Sequence, residues 1–307
     1  MVAGVAEAAV AAAAERGPAA GAPAGVPLCG VGIGWRPEIA GVVEGLPGLG
    51  FCEVVAEAVP AAPSRGVTEL RERPGALRGL AAGVAVVPHG VRLGLGDADG
   101  VAPERVAHLA ACARMFGSPL VSEHVAFVRA AGREAGHLLP LPRTREALDV
   151  LTENVRRTTA ELGVPLALEP IAALFDWPDD EYTEGDFLTE LLDRTGTLLL
   201  LDVANLYANA RNRGQDPSAV LDRMPLDRVA YVHMAGGAVH PDDPTGLYHD
   251  THQNPVPDEV LTLLAEVRER SAAPAVMLER DGRYPPAAEL RAELDALATA
   301  AHLPPPT

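Results

Sequence analysis

Short apolar runs in this sequence end, one after another, in residues whose side chains bind metal ions. The donors are carboxylates, imidazoles and one amide: His89, Glu123, Glu169, Asp202, Asn205, His233 and Glu279. Mixed oxygen and imidazole ligation without thiolate is typical of iron, manganese and zinc sites in proteins. Carboxylates can also be shared between two ions. The sequence therefore predicts a metal site that holds more than one ion.

Electrostatics favours the same interpretation. Carboxylates that converge without a cation repel one another and raise one another's pKa, and a bound metal ion removes that repulsion. Any one of these residues is more often an ordinary polar residue that its neighbours satisfy. Asp202, for example, fits equally well as the N-cap of a following helix. The prediction depends on the occurrence of such residues at six successive runs.

The apolar runs alternate with stretches of helical composition, eight of each. Strands are predicted at residues 28–35, 51–57, 84–90, 120–127, 165–171, 197–207, 228–236 and 275–281. Helices are predicted at residues 37–45, 68–80, 103–116, 144–162, 183–194, 217–224, 257–270 and 286–300. Thr144 and Thr183 precede acidic residues as helix N-caps do, and Gly163 and Gly196 are typical helix stops.

Eight βα units without a break in composition predict an α/β fold, a single (β/α)₈ TIM barrel over residues 28–307. In such barrels the active site lies at the carboxyl ends of the strands, so the donors are expected to converge there. Residues 1–27 form an Ala/Gly/Pro-rich tract with acidic residues and no basic N-terminal region. We predict a disordered extension there rather than a signal peptide.

Composition excludes several classes of function. The formal net charge of −17 disfavours binding to nucleic acid or to anionic lipid, which needs clustered Lys and Arg. No apolar run approaches the roughly 18 residues that a membrane span needs. The three cysteines, Cys29, Cys52 and Cys112, show no CxxC spacing and predict neither a disulfide framework nor a zinc ribbon. We expect a cytoplasmic protein with no nucleic-acid or membrane partner.

A second group of polar residues follows the seventh predicted strand. Asp250-Thr-His252 lies in a loop that would overhang the barrel mouth. Asp250 and His252 are therefore predicted as catalytic residues that act in general acid/base chemistry, with ligand or supporting roles as alternatives. In the plainest interpretation they belong to a solvated loop.

The strand ends also carry a family resemblance. The matching segments are Gly30-Val-Gly-Ile-Gly34, Phe51-Cys-Glu-Val-Val-Ala-Glu57, Pro88-His-Gly90, Ser122-Glu-His124, Leu139-Pro-Leu-Pro142, Leu168-Glu169, Leu201-Asp-Val-Ala-Asn205, Asn212-Arg-Gly-Gln-Asp-Pro217, His233-Met-Ala-Gly236, Asp250-Thr-His252 and Glu279-Arg-Asp281. In this order and spacing they resemble the multinuclear non-haem iron oxidases of the MbnB/TglH type, known from methanobactin biosynthesis.

The resemblance implies a TIM barrel that holds two or three iron ions and uses O₂ as co-substrate. Known members remodel cysteine residues of ribosomally synthesised peptides, usually with a partner protein that presents the peptide. Carried over by motif, it implies iron ligation by His89, Glu123, Asp202, Asn205 and His233, followed by Glu279 and then Glu169.

Four positions depart from the family pattern. Val55, Gly237 and Arg213 each stand where the family has histidine, and Pro170 stands where it has asparagine. Valine cannot bind a metal, so the resemblance implies that one iron position is weakened at Val55. We expect fewer ions than the fullest family sites hold, or a different substrate.

Two other functions fit the same residues. A divalent-metal isomerase or hydrolase of the xylose-isomerase or endonuclease-IV type also places His, Glu and Asp at barrel strand ends, and it would consume no O₂. Alternatively, the departures have disabled the site, and the barrel serves as a scaffold or a peptide-binding protein.

Overall fold

The computed structural model describes residues 28–60, 77, 84–271 and 275–306. The predicted extension at residues 1–27 and nearly all of the predicted helix at 68–80 lie outside these ranges. Within them, eight parallel strands close into a barrel with helices between the strands. The predicted TIM-barrel fold is therefore confirmed.

The barrel strands match the eight predicted apolar runs. They are β1 (Gly30–Gly34), β2 (Phe51–Val55), β3 (Ala85–Gly90), β4 (Val121–Val125), β7 (Leu166–Pro170), β8 (Leu198–Asp202), β9 (Val229–Met234) and β12 (Ala275–Leu278). Two antiparallel hairpins, which the sequence analysis did not predict, pair β5 (Phe127–Ala130) with β6 (Arg133–Leu139) and β10 (Gly236–Val239) with β11 (Tyr248–Asn254). Around the barrel the order is β1-β12-β9-β8-β7-β4-β3-β2.

Strand register sets the height of the polar residues at the carboxyl end of the barrel. Residues at matching levels of neighbouring strands are Val55 with His89, His124 with Glu169, and Asp202 with His233. Since parallel neighbours point their side chains in step, residues at one level face the same side of the barrel wall. The register thus brings histidines and carboxylates to a common level.

The helices of the described ranges are α1 (Ala40–Glu44), α2 (Pro103–Phe116), α3 (Arg145–Leu162), α4 (Glu184–Thr195), α5 (Val203–Asn212), α6 (Pro217–Leu221), α7 (Asp258–Arg270) and α8 (Ala287–Ala300). The predicted caps are present: Thr144 Oγ1 accepts from Ala147 N, and Thr183 Oγ1 accepts from Asp186 N, each at 3.2 Å. No helix in the described part of the chain is long and apolar enough to cross a bilayer.

The predicted end of the sixth barrel strand is wrong by five residues. The predicted strand at residues 197–207 ends at Asp202, and α5 begins at the next residue. Asp202 caps this helix, because its Oδ1 accepts a hydrogen bond from Asn205 N at 2.8 Å. The run of leucines stops at Asp202, so only the residues before it have the apolar composition of a buried strand.

An apolar plug fills the barrel below the polar level. It contains Leu28, Phe51, Val87, Leu120, Ala167, Leu200, Tyr231, Ala275 and Met277. Phe51 and Tyr231 meet edge to face, with ring centroids 5.8 Å apart. Gly32 on β1 leaves room for the Phe51 ring, because a Cβ at this position would lie 2.6 Å from a ring carbon.

Gly32→Ala is expected to destabilise the barrel. The added methyl group would collide with the fully buried Phe51 ring, and overpacking of this kind costs about 1–3 kcal/mol. Urea unfolding gives the free energy of unfolding by linear extrapolation. Gly41→Ala in α1 is the matched control, since a Cβ there meets no atom within 4 Å. Equal unfolding midpoints for the two variants would contradict this packing argument.

Candidate metal centre

A cavity of about 780 Å³ opens at the carboxyl ends of the barrel strands. Barrel residues in its lining include His89, His124, Glu169 and Glu279. The two hairpins extend its walls. Residues 134 and 136–138 of β6 lie on one side, and residues 250–252 of β11 lie on the other. The cavity is large enough for a side chain of a substrate to reach the buried polar groups.

Glu169 at the end of β7 is the centre of one group of donors. Its Oε2 lies 3.4 Å from His89 Nε2 and 3.5 Å from His124 Nε2. Its Oε1 accepts a hydrogen bond from Asn205 Nδ2 at 3.3 Å. Neighbouring strands β3, β4 and β7, together with the first turn of α5, supply these residues, and all of them are buried.

His233 on β9 is held between two carboxylates. Its Nε2 lies 2.9 Å from Glu53 Oε2, and its Nδ1 lies 3.1 Å from Glu279 Oε2. The hydroxyl of Tyr231 also donates to Glu53 Oε2, at 2.6 Å. On the solvent side, Arg36 Nη2 lies 3.4 Å from Glu279 Oε1. Glu53, His233 and Glu279 thus form a second buried group.

The hairpin strand β11 brings an Asp–His pair to the same site. His252 Nε2 contacts Asp250 Oδ2, and His252 Nδ1 lies 3.3 Å from Glu279 Oε2. The backbone of His252 is in the left-handed region with φ of 54°, and its carbonyl accepts from Asp281 N at 2.8 Å. A non-glycine residue in this conformation is uncommon, and such residues concentrate at functional sites.

Among the residues that the structure describes, four sets of three donors lie close enough together to bind an ion. They are His89/His124/Glu169, Glu53/His233/Glu279, Glu169/Asp202/His233 and Asp202/His252/Glu279. Within each set the ligand atoms lie within 4.8 Å of one another. Glu169, Asp202, His233 and Glu279 each belong to two sets. Three of these shared residues are carboxylates, which can bridge neighbouring ions.

Two carboxylate oxygens show that this donor group suits a cation. Glu169 Oε2 and Asp202 Oδ2 are closed to solvent and make no hydrogen bond within the described residues. A buried polar atom without a partner costs about 1–3 kcal/mol, and more when it is charged. A divalent cation would satisfy both oxygens, so the residues fit a metal ion of the class that accepts oxygen and imidazole.

Burial and mutual charge shift the pKa values of these groups. Burial raises the pKa of Asp202 well above its ordinary value, and the carboxylates of Asp250 and Glu169 raise it further. Burial lowers the pKa of His89 to about 3, which leaves its ring neutral. At His233, burial opposes the charged form, but the neighbouring carboxylates outweigh it and raise the pKa well above its ordinary value. Perturbed pKa values of this kind cluster at functional sites.

The structure brings six of the seven predicted ligands together, but it does not bring Glu123. Its Oε2 accepts from Leu93 N at 3.2 Å and its Oε1 from His124 N at 2.9 Å, so the carboxylate is used by backbone groups. Alternation along β4 explains this, because Ser122 and His124 face the barrel interior and Glu123 faces the other way. In this structure His124, and not Glu123, therefore lies within the donor group.

Sequence reasoning also missed Glu53 as a member of the site. It lies within the matching segment Phe51–Glu57, on the same face of β2 as Val55 by two-residue alternation. This alternation is the sequence signal that could have identified Glu53. Tyr231 gave no such signal, because its apolar ring belongs to the plug and only its hydroxyl reaches the polar group.

Residues 30–302 match the family described as RiPP precursor modification enzyme MbnB/TglH/ChrH. The chain belongs to this family. The match spans the whole barrel, from β1 to beyond α8, and confirms the resemblance seen at the strand ends.

Relatives in the MbnB/TglH/ChrH family include bacterial proteins named UPF0276. One from Streptomyces avermitilis is 52% identical over 276 residues, which cover 87% of this chain and 54% of that protein. One from Chromobacterium violaceum is 37% identical and covers 87% of this chain and 92% of that protein. The chain therefore spans about half the length of the Streptomyces relative.

Solved structures with the same fold come from other groups of barrel proteins. A xylose isomerase-like TIM barrel protein from Mycobacterium smegmatis, in complex with magnesium, has a TM-score of 0.53 at 17% identity and covers 90% of this chain and 98% of its own. The 3-keto-D-glucoside 4-epimerase of E. coli has a TM-score of 0.52 at 13% identity and covers 88% of this chain and 99% of its own. At these identities the likeness concerns the fold alone.

The departures from the MbnB/TglH/ChrH pattern have different positions in the structure. Val55 lines the cavity, level with His89. Arg213 lies outside that lining and pairs with Asp176, at 2.7 Å from Nε to Oδ2. A Cβ at Gly237 would lie 2.2 Å from the carbonyl oxygen of His249. Of these three, only Val55 faces the donor group.

Proposed function

We propose that this protein is a multinuclear non-haem iron oxidase that uses O₂ to modify cysteine residues of a ribosomally synthesised peptide. The proposal depends above all on the buried group of histidines and carboxylates in which Glu169 Oε2 and Asp202 Oδ2 have no hydrogen-bond partner among the described residues. The description of the family as RiPP precursor modification enzymes supports a peptide substrate.

Two or three iron ions are proposed because the four donor sets overlap. The proposed ligands are His89, His124, Glu169, Asp202, His233, Glu53 and Glu279, with Asn205 at the edge of the group. His252 completes the fourth set but is proposed for acid/base chemistry. The carboxylates of Glu169, Asp202 and Glu279 would each contribute to two of these sets. Glu53 and His124 enter this set because of their position in the structure, and Glu123 leaves it.

Ferrous iron, when bound, would supply the redox chemistry with O₂ that amino-acid side chains lack. The chain itself would exclude water with its barrel walls and two hairpins, and would orient the substrate in the cavity. Asp250 and His252 are proposed as the acid/base pair, because their side chains contact each other at the wall of the cavity. They could take the proton of an entering thiol.

The peptide and a partner protein that presents it are proposed to bind at the rim of the cavity. The loop after β7 places Ile171 and Ala172 in the cavity lining and then exposes two large apolar side chains. Leu174 is 54% exposed and Phe175 is 49% exposed. Exposed apolar groups beside a binding cavity are typical of contact surfaces for proteins and peptides.

Anaerobic reconstitution with ferrous iron tests this function. Metal analysis and Mössbauer spectroscopy would measure the number and type of ions, and an oxygen electrode would measure O₂ uptake. Short cysteine-containing peptides and their Cys→Ser versions serve as substrate and control. We expect at least two ions per chain, and O₂ uptake that depends on the cysteine.

Two results would contradict the proposal. Stoichiometric metal with no O₂ uptake would favour an isomerase or hydrolase that works through metal-activated water or a polarised carbonyl. Absence of stoichiometric metal would favour a scaffold or peptide-binding protein whose site has been lost.

Val55→His is expected to raise the number of irons bound per chain. Val55 is a half-buried residue of the cavity lining, and an imidazole there would add a strong neutral ligand beside His89. Neither neighbouring glutamate is free to replace this imidazole, since Glu53 already belongs to the set Glu53/His233/Glu279 and Glu57 accepts from Val91 N at 3.0 Å. In an iron titration, the wild type should therefore saturate at fewer irons per chain than Val55→His.

Val91→His is the control for this titration. Val91 is also a half-buried valine of the cavity lining, but it lies beyond the end of β3. Equal saturation of the wild type and Val55→His would show that the missing imidazole is replaced by other residues.

A further inference from the structure

A chain of short hydrogen bonds runs beneath the metal centre and connects two of its donor sets. Tyr231 OH lies 2.6 Å from Glu53 Oε2 and 2.7 Å from Ser122 Oγ. Ser122 Oγ in turn lies 2.8 Å from His89 Nδ1. All four residues are at most 2% exposed, so no solvent competes for these contacts. Tyr231 and Ser122 are not members of any donor set.

The number of hydrogens on each group determines which atom donates in each hydrogen bond of this series. Tyr231 OH donates to Glu53 Oε2, and a tyrosine hydroxyl has only one hydrogen to give. Tyr231 therefore donates its single hydrogen to Glu53, and its oxygen accepts from the Ser122 hydroxyl. Ser122 has then used its own hydrogen, so the remaining contact requires a hydrogen on His89 Nδ1.

We propose that Ser122 and Tyr231 are positioning residues that fix His89 in the Nδ1–H tautomer and leave its Nε2 bare for a cation. This inference rests on the metal site proposed above and adds the residues that prepare it. The bare Nε2 is the atom that lies 3.4 Å from Glu169 Oε2, within the set His89/His124/Glu169. Histidine ligands commonly owe their tautomer to a hydrogen bond at the other ring nitrogen.

The hydrogen-bond chain also connects the set His89/His124/Glu169 with the set Glu53/His233/Glu279. Its far end is Glu53 Oε2, which is itself a proposed ligand atom. The ring of Tyr231 lies in the apolar plug and packs against Phe51, so this packing fixes the position of its hydroxyl. The same hydroxyl thus orients a histidine of one donor set and a carboxylate of the other.

Ser122→Ala is expected to release His89 from this tautomer. Long-range ¹H–¹⁵N spectra of metal-free, ¹⁵N-histidine-labelled protein report which ring nitrogen carries hydrogen, and a His89→Gln variant assigns the signal. The wild type should show the Nδ1–H form, and Ser122→Ala should show a substantial Nε2–H population. Ferrous affinity, measured by anaerobic titration, should fall about 10- to 100-fold, as is usual for losses of this kind.

Ser118→Ala is the matched control. Ser118 is also buried, and its hydroxyl donates to Val86 O at 2.6 Å, outside the chain that ends on His89. This variant should keep the tautomer and the ferrous affinity of the wild type. Ser122→Thr retains a hydroxyl and should restore both readouts.

Tyr231→Phe provides a second test that does not depend on the folding of Ser122→Ala. It keeps the ring against Phe51 and removes only the hydroxyl, so that Ser122 is free to donate to His89 Nδ1. The Nε2–H form should then appear.

Three outcomes decide the proposal. It is overturned if the wild type shows the Nε2–H form. It is also overturned if both Ser122→Ala and Tyr231→Phe retain the Nδ1–H form and the ferrous affinity of Ser118→Ala. A wild type that binds no ferrous iron would refute the proposed function, while the tautomer of the metal-free protein would still decide the role of the hydrogen-bond chain.

Discussion

Glu169→Gln is expected to remove more than one iron ion from the reconstituted protein. Glu169 belongs to two of the four donor sets, and its two oxygens face different partners: Oε2 faces His89 and His124, and Oε1 accepts from Asn205. Glutamine is neutral and turns one acceptor into a donor, so it can neither bridge two ions nor balance their charge. Iron per chain after anaerobic loading is the measurement.

Glu123→Gln is the matched control for this experiment. Both glutamates are 1% exposed and lie on adjacent barrel strands, but Glu123 accepts from the backbone of Leu93 and His124 instead of facing the donor group. Its variant should lose about 1–3 kcal/mol of stability through mismatched hydrogen bonds and keep its iron. Loss of iron in Glu123→Gln, with iron retained in Glu169→Gln, would restore the assignment made from the sequence.

Asp202→Asn is expected to abolish binding of at least one ion while the fold remains intact. Asp202 contributes to two donor sets through the carboxylate whose Oδ2 has no hydrogen-bond partner in the described part of the chain. Burial and the neighbouring carboxylates raise the pKa of Asp202 well above its ordinary value, so that its metal-free form resembles a neutral amide. The metal-free variant should therefore unfold at the same temperature as the metal-free wild type.

The loss of ferrous affinity in Asp202→Asn should exceed the roughly 10- to 100-fold typical of residues that only support a ligand. Alanine is the less suitable substitution, because Asp202 also caps α5. Asp202→Ala should lose about 1 kcal/mol more stability than Asp202→Asn, since asparagine caps helices as well as aspartate does. Unchanged iron content in Asp202→Asn, with lower stability in Asp202→Ala, would identify Asp202 as a helix cap alone.

The barrel itself is determined by local sequence patterns. Each barrel strand is a short apolar run between polar segments, and a parallel strand buried on both faces needs such a run wherever it lies in the chain. Helix caps such as Thr144 and Thr183 act within three residues, so their hydrogen bonds also follow from the sequence. The two hairpins have no such apolar pattern; β6, for example, is largely exposed.

The positions of the site residues follow only in part from the same patterns. A polar residue at the end of a buried strand is visible in the sequence, and Glu169, Asp202 and His233 were identified in this way. Which of two adjacent polar residues faces the interior depends on the phase of the strand, and a shift of one residue exchanges the two faces. Glu123 and His124 are such a pair, and residue type alone does not show that His124 is the one within the donor group.

Contacts across the barrel were decided only by the tertiary structure. Glu53, Ser122 and Tyr231 lie on three different strands, and Tyr231 is 178 residues from Glu53 and 109 from Ser122 in the sequence. No local pattern marks a tyrosine whose ring packs in an apolar plug while its hydroxyl meets a buried carboxylate. Closure of the barrel brings these side chains to a common axis, because tilted strands in register converge at their carboxyl ends. The sequence thus determined which residues stand at the strand ends, and the closed barrel determined which of them meet.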